Sequence, residues 1–83
     1  MHETHLIEPV IKGISEHAQA EGAVAVTRVR IKVGMLTGVS EESFKETFSV
    51  LAQGTILEGA ALELTFFPGS IIQVLSFDVE QGK

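Results

Sequence analysis

Three histidines carry what chemistry this chain has, and two of them, His2 and His5, stand close behind the α-amine of Met1. A bulky residue at position two leaves the initiator Met in place. The Met1 amine, the deprotonated amide nitrogen of His2 and one imidazole nitrogen of His2 can then close fused five- and six-membered chelate rings around one metal ion. Planar nitrogen donors of this kind suit Ni(II) or Cu(II), whose d-electron counts favour square-planar or tetragonal geometry, and zinc gains less from them. The fourth position falls to the Glu3 amide or carboxylate, to His5, or to water. His5 follows His2 by three residues and shares its side of the chain if the tail is helical. The plainer reading of a histidine near a chain start is a solvated side chain, and spacing alone leaves both readings open. His17, beside Glu16 late in a helical stretch, reads as a surface residue placed at the negative end of a helix dipole.

No catalytic constellation accompanies these residues. The chain has no cysteine nucleophile. Its serines, Ser15, Ser40, Ser43, Ser49, Ser70 and Ser76, have no His and acid at interpretable spacing. Glu41 and Glu42 are adjacent, so a helix points them to different sides and they make a poor acid/base pair. The Gly34 to Gly38 turn lacks a phosphate-binding lysine or a proper glycine fingerprint. The expectation is a protein that is not an enzyme.

Composition narrows the partners. Six Lys and Arg against eleven Asp and Glu give the 83 residues a net charge of −5. Nucleic-acid affinity comes largely from basic residues that displace counterions, so a nucleic-acid partner is not expected. The apolar residues, 45% of the chain, never run to the 18 or so positions of a membrane span, and Met-His-Glu-Thr-His is not the start of a signal peptide. The expected location is the cytoplasm, with no membrane association. A chain this short leaves a thin stability margin, and without Cys neither disulfides nor a thiolate-bound metal can supplement it.

Five elements must position these residues. From His5 to Glu21, Leu6, Val10, Ile14 and Ala18, with Ile7 and Ile11 alongside, recur at helical spacing, and Gly22 stops the helix. Pro9 is harmless only near a helix start, so the regular helix is expected to begin about Thr4 to Leu6, with Thr4 as a cap and Met1 to Glu3 as a short tail. Val24 to Val33 alternates, with Thr27, Val29, Ile31 and Val33 on one face and Arg28, Arg30 and Lys32 on a cationic solvent face. A two-glycine turn leads to a second helix, capped by Ser40, opened by Glu41 and Glu42, buried along Phe44, Phe48, Leu51 and Ala52, and ended by Gly54. Ala60 to Phe67 and Ile71 to Glu80 read as strands joined by Pro68-Gly69-Ser70, a tight hairpin. The order helix-strand-helix-strand-strand predicts an α+β fold, a two-layer sandwich with two helices on one face of a three-stranded mixed sheet, the first two strands parallel and the last two antiparallel through the hairpin. Phe66, Phe67, Ile71 and Ile72 cluster at the hairpin tip. They either overhang the helices to complete the core or form a subunit contact in a homo-oligomer.

Taken together, Met1-His2-Glu3 before an amphipathic helix, Val26-Thr27-Arg28-Val29-Arg30-Ile31-Lys32-Val33-Gly34, Leu36-Thr37-Gly38-Val39 with Ser43-Phe44, and Gly54-Thr55-Ile56-Leu57-Glu58-Gly59-Ala60 with Leu62-Glu63-Leu64 resemble the HypA/HybF family. These are nickel metallochaperones for hydrogenase, and sometimes urease, maturation. The resemblance implies Ni(II) as cofactor, bound by Met1, His2 and nearby amides with Glu3 in support. It also implies a maturation GTPase and a nickel-enzyme precursor as partners. The family carries a zinc module with two C-x-x-C pairs between its last two strands. Here a tight turn at 68–70 stands in its place, so no zinc is expected and residues 1–83 read as one nickel-binding-type domain. Ser40 stands where the family often has an acid and Met35 where it commonly has Glu, so either Glu41 or Glu42 reaches over to the metal or the site is weaker, with His5 as a further candidate. Pro9 is also unusual for the family's first helix. The competing expectation is a metal-independent module that keeps the fold and uses its apolar tip for docking or self-association.

Overall fold

The computed structural model describes residues 3–82. The elements are α1 (Glu3–Ala20), β1 (Ala23–Gly34), a 3-10 turn (Met35–Thr37), α2 (Glu41–Ala52), β2 (Ala61–Phe67) and β3 (Ile72–Gln81). Both helices pack on one face of a three-stranded mixed sheet, so the α+β two-layer fold is as the sequence predicts.

Helix α1 begins at Glu3, which places Thr4 inside the helix and not at its cap, and puts Pro9 within it. Its buried stripe is Ile7, Ile11, Ile14 and Ala18, whereas Leu6, expected on that face, is largely exposed. The stripe follows spacings of four and three, and Leu6 lies about 100° round the helix from Ile7. Helix α2 forms as expected. The Ser40 Oγ accepts from the Ser43 amide at 3.1 Å, which satisfies one of the free N–H groups at the helix start, and Phe44, Phe48 and Ala52 are buried.

The sheet order corrects the hairpin. It is β2-β1-β3, with β1 parallel to β2 and antiparallel to β3. The last two strands are therefore not paired with each other. They lie at opposite edges, and the Pro68–Ile71 segment crosses over the end of β1. A short Gly-containing reversal looks the same in sequence whether it folds strands onto each other or carries the chain across a third. The crossing is fixed by two backbone bonds, Gly34 N–H to Ile71 O and Leu36 N–H to Gly69 O, each 2.8 Å.

Burial explains why β1 takes the centre. Val26, Val29, Ile31 and Val33 are all shut off from solvent, whereas β2 and β3 alternate between half-buried and exposed. The simple alternation expected for β1 fails at its first half, where Ala23, Val26 and Val29 are buried at intervals of three and Thr27 is exposed. The cause is two slips in register against β3: Ala23 faces Gln81 and Ala25 faces Glu80, and Val26 faces Val79 and Arg28 faces Asp78, so Val24 and Thr27 are extra residues. Such a bulge shifts the side chains before it to the other face. A third slip, between Arg30 and Ile31, leaves Leu75 as the extra residue of β3 and exposes it.

Candidate metal site

The two-residue reversal at Glu21–Gly22 sends α1 back along β1, so the start of α1 lies toward the end of β1 that carries Gly34. Helix α2 also starts at that end, immediately after the 3-10 turn. The sheet's crossover and the starts of both helices thus share one end of the fold.

Met1 and His2, the proposed ligands, lie outside the described residues, and of Glu3 only the backbone is described. What the structure supplies is the start of α1 at Glu3. The first amides of a helix have no carbonyl partner within it, so an amide nitrogen there can be deprotonated and bound by a metal without breaking a helical hydrogen bond. A nitrogen-rich donor set built from the α-amine, backbone amides and one imidazole is thus compatible with the helix start. His5 is exposed on α1. The exposed Glu41 carboxylate sits 3.2 Å from the Lys45 ammonium one turn on, an i,i+4 ion pair. Among the described residues no three His, Cys, Asp or Glu side chains gather as a metal cluster.

The apolar tip divides. Phe66 and Ile72 face the helices and pack on the core. Phe67 belongs to the open face of the sheet, where the Lys32 ammonium lies 4.5 Å over its ring. Ile71 stays 56% exposed, and it is joined there by Met35 (56%) and Leu36 (77%), two residues the reading of the tip did not include. The signal that would have found them is the apolar pair itself in the turn after β1.

The cations of β1 are not a free basic face. Arg28 pairs with Glu63 of β2 and lies 3.9 Å from Asp78 of β3, while Arg30 meets Asp78 through two hydrogen bonds of 3.3 Å and Glu63 at 3.5 Å. The Arg30 hydrogen bond holds the Asp78 carboxyl below its ordinary value, and the same contact raises the Arg30 guanidinium. Arg28 and Arg30 are thus bracketed by acids from both neighbouring strands, while Lys32 lies over Phe67.

The family described as hydrogenase/urease nickel incorporation, metallochaperone, hypA matches residues 1–72. The chain belongs to this family. Among curated HypA relatives, the hydrogenase maturation factor HypA of Rhodobacter capsulatus is 38% identical over 78 residues, which cover 94% of this chain and 66% of that protein. The HypA of Beijerinckia indica is 43% identical over 70 residues, 84% of this chain and 62% of its own. The chain thus spans somewhat under two thirds of the length of these relatives. The solution structure of the Ni metallochaperone HypA from Helicobacter pylori superposes with a TM-score of 0.83 at 14% identity, covering 96% of this chain and 98% of that one. At that identity the likeness to the solved HypA concerns the fold. The family description is of nickel incorporation, a carrier's task and not a catalyst's. Among the described residues no helix is long and apolar enough to cross a membrane.

Proposed function

We propose that this chain is a nickel-carrying domain that binds Ni(II) through the Met1 amine, the His2 amide and imidazole and the Glu3 amide, for delivery during hydrogenase maturation. The observation that carries this reading is that the family match runs back to residue 1 and so includes the His2 terminus. The start of α1 at Glu3 supports it, because the amides there have no helical partner to lose. Four nitrogen donors in a plane match Ni(II), and binding displaces protons from the amine and the amides, so affinity falls as pH falls. Donors on a chain end can also leave one at a time, which suits a carrier that must release its metal. The partners in this reading are the maturation GTPase that the family works with and the nickel-enzyme precursor. Residues 1–83 form the nickel-binding unit in this reading, with the crossover at 68–70 standing where relatives insert their zinc module. The chain has no cysteine thiolate with which to hold zinc.

Isothermal titration of Ni(II) into the untagged protein and into His2→Ala tests the site. The expected result is about one equivalent bound by the parent and little by the variant. Equal binding by both would sink the assignment.

A second reading, metal-independent self-association, is favoured by one observation: Met35, Leu36 and Ile71 are exposed together where the crossover is tied to β1. Gel filtration of Leu36→Asp beside the parent at high concentration tests it. An unchanged elution volume would rule this contact out.

A further inference from the structure

Helix α1 contains a proline that neither the packing nor the nickel site uses. Pro9 is exposed and lies inside Glu3–Ala20, past the first turn, where a helix tolerates proline. In an α-helix the amide of residue 9 would bond to the carbonyl of His5. Proline has no N–H, and its ring crowds that carbonyl, so the ladder loses a rung at this point.

The packing changes at the same place. Of residues 4–9 only Ile7 is buried; Thr4 is half-buried and His5, Leu6, Glu8 and Pro9 are exposed. Beyond Pro9 the buried face continues through Ile11, Ile14 and Ala18. The segment before the proline is thus joined to the rest of α1 by an interrupted ladder and to the core by one isoleucine. Terminal segments with few buried contacts open at far lower cost than the body of a fold.

We propose that Pro9 is a hinge: the turn Glu3–Glu8 opens as a unit separate from the rest of α1, with Ile7 as its latch, and this opening sets how fast nickel held at the terminus passes to an acceptor. The proposal rests on the nickel reading above. Opening costs the burial of Ile7 and the partial cover of Thr4 and Leu6, and uncovers no buried polar side chain, since none exists among the described residues. Converting Glu3 to Leu6 from helix to extended chain lengthens the reach of the terminus by about 8 Å, the difference between helical and extended rise over four residues. Pro9 is a positioning residue in this scheme, because it acts through the backbone of the turn before it.

Hydrogen exchange on the untagged, metal-free protein tests the hinge without nickel. The Ile7 and Glu8 amides should exchange at least about tenfold faster than those of Ile11 and Ile14, and Pro9→Ala, which restores the missing rung, should remove most of that step. Both proteins are then loaded with Ni(II) and mixed with excess EDTA. Pro9→Ala should release nickel several-fold more slowly, with a smaller change in affinity by titration, a split that a purely structural proline would not produce. Uniform exchange along α1 of the parent, or equal release rates once the step has gone, would overturn the proposal. Failure of both proteins to bind Ni(II) would instead overturn the nickel reading and the hinge's role in transfer, while the exchange step separately decides whether the hinge exists.

Discussion

A β-carbon on Gly34 would land on the backbone carbonyl of Gly69 and against the amide of Ser70. The two glycines mark the point where the crossover from β2 to β3 passes over the end of β1. Gly34 has an ordinary extended backbone, φ −73° and ψ 132°, so glycine is required there for space and not for conformation. The sheet order β2-β1-β3 depends on that close passage.

Gly34→Ala should therefore be among the more damaging small substitutions. The neighbouring atoms are backbone and cannot rotate away, so the crossover must lift and weaken the Gly34–Ile71 and Leu36–Gly69 hydrogen bonds. Overpacking of this kind costs about 1–3 kcal/mol, read as a lowered urea midpoint with unchanged slope. A midpoint equal to the parent's would mean the crossover is loosely held.

Gly13→Ala should do the opposite. Gly13 lies in the middle of α1, and an added β-carbon meets no atom within 4 Å. Glycine costs a helix interior about 0.5–1 kcal/mol relative to alanine, so the variant should melt at a higher temperature than the parent.

Phe44 is fully buried and stacks on Phe48 with ring centroids 6.4 Å apart. Phe44→Ala leaves a cavity beneath α2 and should cost about 3–5 kcal/mol. Small domains have little stability beyond that, so the expected outcome is a chain largely unfolded at 37 °C by circular dichroism.

The open face predicts an acid dependence. The Arg30 hydrogen bond lowers the Asp78 carboxyl from its ordinary 3.8, so its stabilising effect is complete above that value and is lost as pH falls through the lower, folded one. Urea midpoints measured across the acid range should fall more steeply for the parent than for Asp78→Asn. The difference should shrink in high salt, because these groups are exposed. Parallel curves would mean the pair contributes nothing.

Much of this fold is legible along the chain. The Ser40 cap and the alternation of β2 follow from local hydrogen bonding or local periodicity and form where expected, and the apolar face of α1 does so in part: Ile7, Ile11, Ile14 and Ala18 are buried, whereas Leu6 is exposed. The failures have local causes too. Thr27 was expected to face inward, yet it is the extra residue of a bulge, and a bulge is defined by the partner strand. Phe66 and Phe67 are neighbours, so a strand puts them on opposite faces, which breaks up the apolar tip. The strand order also had a trace in the sequence: Arg28 and Arg30 on one strand find acids on both later strands, Glu63 and Asp78, an arrangement that suits a central β1.

By itself the sequence determined the element types, most of the helix faces, the absence of any thiolate and the position of His2 and His5 near Met1, because each depends on residues close together in the chain. The tertiary structure alone decided that β1 lies between β2 and β3, that the Pro68–Ile71 segment crosses it at Gly34, and that Met35, Leu36 and Ile71 come together. Those outcomes depend on which strand buries the most apolar surface and on which backbones approach closely enough to exclude a side chain, quantities that exist only once the chain has folded.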